Sequence, residues 1–226
     1  SFLQPAAINH AVVSVPPLED AELAEVEAAL PALAYPLKNP ALREILRNPY
    51  FLDKALDISW SAERPIPESE REFRALFWRQ IVRADQGAPA GMARRREEVF
   101  QEIAVRRARA LSSHVICNDL DPAVIAALRQ DSLISSSDEN PSLVATTHDV
   151  LEDWAILQWL EEQHLTNKGS FKDLSASIGA HPAIRRSYRR WVAELIERDP
   201  VAADRLFRAA ISATDISAQF RDDTLI

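Results

Sequence analysis

Glycine is scarce in this chain, at 4 of 226 residues, and cysteine occurs once. So few glycines argue against many tight hairpins. Gly87, Gly91, Gly169 and Gly179 also form no Gly-x-x-x-x-Gly-Lys-[Ser/Thr] frame, which excludes a glycine-rich phosphate loop. A lone Cys117 excludes an internal disulfide and a thiolate metal cluster, and it points to a cytoplasmic setting. Nothing approaches the ~20 apolar residues that a membrane-spanning helix needs, and no signal peptide is visible. Basic charge is the minority: 26 Lys and Arg stand against 34 Asp and Glu, for a net charge of −8. That balance disfavours a dedicated nucleic-acid binder, whose phosphate-tracking face would drive it basic.

What is plentiful is proline, at 14, and apolar content, at 47%. That is enough to build the core of one large or two small domains. Ala11 to Val15, bounded by His10 and Pro16-Pro17, reads as a single strand. One strand cannot satisfy its own backbone, so it is expected to be the last strand of a sheet formed with residues outside this chain. From Asp20 the pattern turns helical, with Leu23, Val26 and Leu30 on one face and a stop at Pro31. Asn39-Pro40 and Asn48-Pro49 each put a cap residue before a proline at the first helical position. A longer helix carries Phe73, Leu76, Phe77, Ile81 and Val82, and Gly87 to Gly91 ends it.

The next block has winged-helix character. A helix over about 93–111 is followed by an ambiguous stretch and then by a helix capped at Asp121-Pro122. Ser132 to Ser135 and Ser142 to Ala145 flank a polar turn and are expected to form a two-strand wing. Beyond Gly169, helices open at Ser170, His181-Pro182 and Asp199-Pro200. The tail from Asp215 carries Ile216, Phe220, Leu225 and Ile226 with nothing after it to cover them. The expected architecture is mainly α, with boundaries near 1–18, 19–88, 89–165 and 166–226.

Leu143 to Leu160 organises the second half. Leu143 to Thr146 reads as a strand. Thr146 is the expected N-cap of the following helix, with Asp149 reaching back in capping-box fashion. Val150, Leu151, Trp154, Leu157 and Leu160 then give a broad apolar face. His148 is thereby placed in the first helical turn, where unpaired backbone N–H groups favour anions.

Three stretches in this order resemble the STAND class of signalling NTPases, relatives of the NACHT and NB-ARC proteins, and in particular its bacterial members. Val12 to Glu22 is similar to the family's strand-to-lid junction. Leu46-Arg-Asn-Pro-Tyr-Phe-Leu52 looks like the lid motif whose proline lies against adenine, and Pro49 matches that proline. Thr147-His-Asp149 resembles the Met-His-Asp motif, whose histidine touches the β-phosphate of ADP, and Thr replaces Met here. The resemblance implies a helical lid (19–88), a winged-helix domain (89–165) and a helical arm (166–226). It also implies ADP or ATP as cofactor, with Mg in the full-length protein, and His148 and Pro49 as nucleotide contacts. The chain would then be the regulatory part of a signalling ATPase that switches between resting and active states, with a role in bacterial defence. No phosphate-loop lysine or Walker-type acidic strand end is present, so the catalytic half is expected upstream as this chain's partner, with homo-oligomers on activation. Catalytic and metal-binding residues are not expected here.

Other clusters read more plainly. Arg94-Arg-Arg96 with Arg106, Arg107 and Arg109, and Arg185-Arg186 with Arg189-Arg190, read as solvated helix faces. His114 beside Cys117 lacks further ligands in register. His164 and His181 read as surface positions, and Asp222-Asp223 as part of the tail. Two other functions fit the composition: a winged-helix DNA-binding regulator and a helical protein-interaction scaffold. The first would need basic and amide groups along the 121–130 helix, which offers only Arg129 and Gln130 against Asp121 and Asp131.

Overall fold

A computed structural model describes residues 16–61, 65–138, 140–167 and 170–225. The expected strand at 11–15 lies outside them, as do Lys168 and Gly169. The chain divides into two compact units, Ser1–Gln80 and Ile81–Ile226.

The first unit is made of short helices: α1 (Asp20–Ala29), α2 (Pro31–Ala34), α3 (Pro40–Leu46), α4 (Pro49–Leu56) and α5 (Glu70–Phe77), with a 3-10 turn at Pro36–Lys38. Asparagine and proline set the starts of two of them. The Asn39 side chain accepts from the Leu42 N–H at 3.0 Å and the Asn48 side chain from the Tyr50 N–H at 2.9 Å, while Pro40 and Pro49 occupy positions that need no donor. A capping box of Glu19 and Glu22 opens α1. Of the face expected on α1, Leu23 is fully buried, Val26 is half-buried and Leu30 stays exposed. The helix ends there, and after Pro31 the buried position passes to Leu33. Leu42, Leu46, Ala55 and Phe73 complete this core without exposed surface. The long helix expected through Val82 changes its winding, since Trp78–Val82 forms a π turn after α5.

The second unit runs α6 (Met92–Ala110), β1 (Val115–Ile116), α7 (Pro122–Gln130), β2 (Ile134–Ser136), β3 (Leu143–Thr146), α8 (Asp149–Thr166), α9 (Phe171–Ile178), α10 (Pro182–Arg198), α11 (Pro200–Ser212) and α12 (Ala218–Leu225). Its sheet is antiparallel, in the order β1-β3-β2. Ile134 pairs with Thr146 and Ser136 with Val144, which is the expected hairpin. The expected two-strand wing is corrected to three strands: Val115 and Ile116 pair with Val144 and Leu143 on the other side of β3. Two residues are too few to show a strand period, so β1 left no pattern to read.

Helix α6 is the hub, packed against α7, α8, α10, β1 and β3. Phe100, Ile103 and Ala104 on α6 are wholly buried, as are Trp154 and Leu160 on α8 and Ile184 and Tyr188 on α10. The tail is not bare. Helix α12 folds onto α10, with the Phe220 ring stacked 4.6 Å from Tyr188 and the Tyr188 hydroxyl 2.9 Å from Thr224 Oγ1. Phe220 is thereby buried, while Leu225 remains exposed. The architecture is mainly α, with twelve α-helices and one three-strand antiparallel sheet among the described residues.

Candidate functional site

Thr147, His148 and Asp149 sit where β3 hands over to α8. Thr146, expected as the N-cap, is instead the last residue of β3, buried and paired with Ile134. Its hydroxyl accepts from Arg107 on α6. Thr147 is exposed but tied to the α7–β2 corner. Its N–H donates to the Leu133 carbonyl at 3.1 Å, and its hydroxyl to the Ser132 carbonyl at 2.8 Å.

His148 is the N-cap. Its backbone is extended (φ −150°, ψ 144°), and its ring Nδ1 accepts from the Val150 N–H at 3.1 Å. An Nδ1 that accepts a backbone N–H carries no proton, so the neutral ring holds its proton on Nε2. The His148 carbonyl takes the Leu151 and Glu152 N–H groups at 3.0 and 3.3 Å. The exposed His148 therefore sits at the positive end of an eighteen-residue helix, with Asp149 and Glu152 in its first turn.

Behind the cap lies a pair that the sequence pattern did not reveal. Arg107, mostly buried, forms an ion pair with Glu152 and also donates to the Ser113 carbonyl at 3.0 Å. Burial pushes the Glu152 carboxyl up from its ordinary range, against the opposing charge of Arg107. Arg107 thus bonds β3, the β1 approach and the first turn of α8 from one position on α6. Only its place on the α6 face, eleven residues after Arg96, hinted at this.

Arg96 makes the deepest of these contacts. It is 4% exposed, and it donates to the Val82 and Ile81 carbonyls at 2.7 and 2.8 Å and to Asp131 at 2.5 Å. Arg106 binds Asp119 and Glu102, and Arg109 lies over the Trp159 ring at 5.6 Å. On α10, Arg185 and Arg189 both bind Asp223, itself 4% exposed. Arg96, Arg106, Arg107 and Arg185 are therefore braces, whereas Arg94, Arg95, Arg186 and Arg190 lie on exposed helix faces as expected. Asp223 likewise belongs to the packed structure rather than to a loose tail.

Pro49 begins α4 behind the Asn48 cap and is half-buried. It belongs to the first unit and His148 to the second, so each is placed within its own unit. His164, expected at the surface, is partly buried. Its ring lies 5.1 Å from Trp191, and its Nδ1 has no hydrogen-bond partner among the described residues. Burial lowers its pKa, with Arg198 and Arg205 adding to the effect and Glu161 opposing it. Among the described residues no group of three or more His, Cys, Asp or Glu could hold a metal ion, and no helix is long and apolar enough to cross a membrane. Compared with known proteins, the chain matches no family model and no curated relative.

Proposed function

We propose that this chain is the regulatory part of a STAND-type signalling NTPase. Residues 19–88 serve as the lid, 89–165 as the winged-helix domain and 166–226 as the helical arm. The chain closes over ADP or ATP held by a catalytic core upstream in the same protein. The observation that carries this reading is the His148 cap. By accepting the Val150 N–H on Nδ1, the ring keeps its proton on Nε2, where it can donate to a phosphate oxygen at the start of α8. The element order from α6 to α8 and the anchoring of Thr147 support it, because they make this histidine part of a packed body that can move as one. Pro49, ordered by the Asn48 cap, is the matching candidate for the adenine face.

The DNA-binding alternative gains little. Outward positions of α7 are Ala123, Ala126, Arg129 and Gln130, with Asp131 at its end. That face offers little cation to a groove.

The test is ADP release from the natural protein that contains this chain, with and without His148→Ala. A hydrogen bond to a charged group contributes about 1.5–3 kcal/mol, and its loss from the closed state alone shifts that equilibrium about 10- to 150-fold. Faster ADP release by the variant, at unchanged stability of the nucleotide-free protein, is the expected result. Equal release rates end the assignment. The isolated chain is expected to show no micromolar ADP binding by calorimetry, since one histidine and one proline do not outweigh the cost of association.

A further inference from the structure

A cleft of about 240 Å³ opens in the second unit between the β1–α7 loop, α7 and the β2–β3 turn. Five of its nine lining residues are apolar: Leu120 and Pro122 from the loop and helix start, Ile125 from α7, Pro141 from the turn and Val144 from β3. Cys117 lines it as well, 6% exposed, with its thiol directed to the Val115 carbonyl at 3.7 Å.

Three polar side chains converge on this cleft. Arg129 uses Nη2 to hold the Pro141 carbonyl at 2.7 Å, which fixes the guanidinium across the mouth. It forms no ion pair among the described residues. The Asn118 amide and the Ser142 hydroxyl have no hydrogen-bond partner among them either. Arg106, the other nearby cation, is held by Asp119 and Glu102. The polar edge of the cleft is therefore rich in donors, one of them permanently charged. Apolar walls with a few convergent polar groups are the usual composition of a small-molecule site. A guanidinium with free N–H groups suits a carboxylate, and charge-assisted bonds of that kind are the strong ones.

We propose that this cleft binds a small carboxylic acid with a short aryl or branched apolar tail. The carboxylate lies against Arg129, Asn118 and Ser142, and the tail lies between Leu120, Ile125 and Val144. The volume falls below the roughly 300–1,000 Å³ of clefts for drug-sized ligands, which suits a small acid. The site is thus separate from the His148 cap, and it stands whether or not the nucleotide reading does. Cys117 acts as a wall and not as a nucleophile: burial pushes its thiol up, against the pull of Arg106, so it stays protonated at neutral pH.

The test uses 3-phenylpropionate and its uncharged amide as paired probes in a methyl NMR titration of the whole chain. The acid is expected to bind in the sub-millimolar range and to shift the methyl signals of Leu120, Ile125 and Val144. The amide is expected to bind at least about tenfold more weakly, since the tail contacts stay and the charge-assisted bond goes. Arg129→Gln is expected to bring the acid down to the amide's affinity. Acid and amide binding alike to the unaltered chain would overturn the proposal, as would an absence of shifts at those three residues at low-millimolar probe. If Arg129→Gln does not fold, the acid–amide comparison on the unaltered chain decides alone.

Discussion

The arginines that brace the long helices of the second unit sit deeper than Arg47 of the first. In the first, Arg47 binds Asp20 and Glu44, whose side chains are 74% and 66% exposed, so water competes for every bond. In the second, Arg96, Arg107 and Arg185 reach from long helices into places that water barely enters. The helices differ to match. Those of the first unit have ten residues or fewer, and α1, α3 and α4 close their starts locally with glutamate, asparagine and proline. In the second unit α6, α8 and α10 have 19, 18 and 17 residues, and their charges fasten one helix to the next. Charges on the short α3 and on the long helices alike fasten one helix to another, and what differs is how deeply those bonds lie.

The sharpest way to break this contrast is Arg96→Met set beside Arg47→Met. Removing Arg96 strips donors from two carbonyls and a partner from Asp131, and the second unit is expected to lose about 3–5 kcal/mol. Arg47→Met should barely move the first unit's unfolding midpoint, because exposed ion pairs contribute little. Hydrogen exchange in α6 and α3 during denaturant titration reads both. Comparable losses would erase the distinction.

Asp223→Asn comes next. It leaves Arg185 and Arg189 without their carboxylate, and about 3 kcal/mol should be lost, with exchange in α12 rising first. If α12 stays protected, aromatic stacking alone holds it.

The acid side of the pH profile sharpens the same comparison. The folded pKa of His164 is lowered by burial, so the unfolded chain binds more protons between the two values. The stability carried by the neutral ring is complete above its unfolded value of about 6.5 and is lost as pH falls through the folded one. Burial would raise the Asp223 carboxyl, but hydrogen bonds from Arg185 and Arg189 outweigh it and hold it below the usual range. Its contribution therefore persists until pH falls below the ordinary aspartate range. Thermal melts from neutral to pH 5 should show an early loss in the second unit, and His164→Leu should flatten it. An unchanged slope in the variant would assign that loss elsewhere.

The smallest effects are local. Asn48→Ala should cost the first unit about 1 kcal/mol. Leu111→Gly should gain a similar amount for the second unit, since Leu111 ends α6 in the left-handed region (φ 49°) and is 68% exposed. Melting temperatures moving in opposite directions would bear out both.

Local chemistry explains what was legible beforehand. Asn39, Asn48, Asp121 and Asp199 act on N–H groups two or three residues away, so spacing alone revealed their caps before proline. The start of α8 was misread by two residues for the opposite reason. Thr146 looks like a cap, yet it is held in β3 by Ile134 and by Arg107, which lies 39 residues earlier. A competition decided by so distant a partner leaves no periodicity near Thr146. The same holds for Arg96, whose position in a basic run suggested solvent until Ile81, Val82 and Asp131 were seen around it. Where Thr147-His148-Asp149 lies was legible. That the ring itself caps the helix was not, because histidine is an uncommon choice for that role.

That cap ties two variables into one. The ring cannot turn its Nδ1 away without releasing the Val150 N–H, so anything that pulls on the imidazole also pulls on the first turn of α8. At about 1.5 Å per residue the helix is a rod of about 27 Å. Its far end carries His164 against Trp191, whose indole N–H is held by Glu161 at 2.9 Å. The His148 ring and the buried Trp191 thus stand at the two ends of one packed rod.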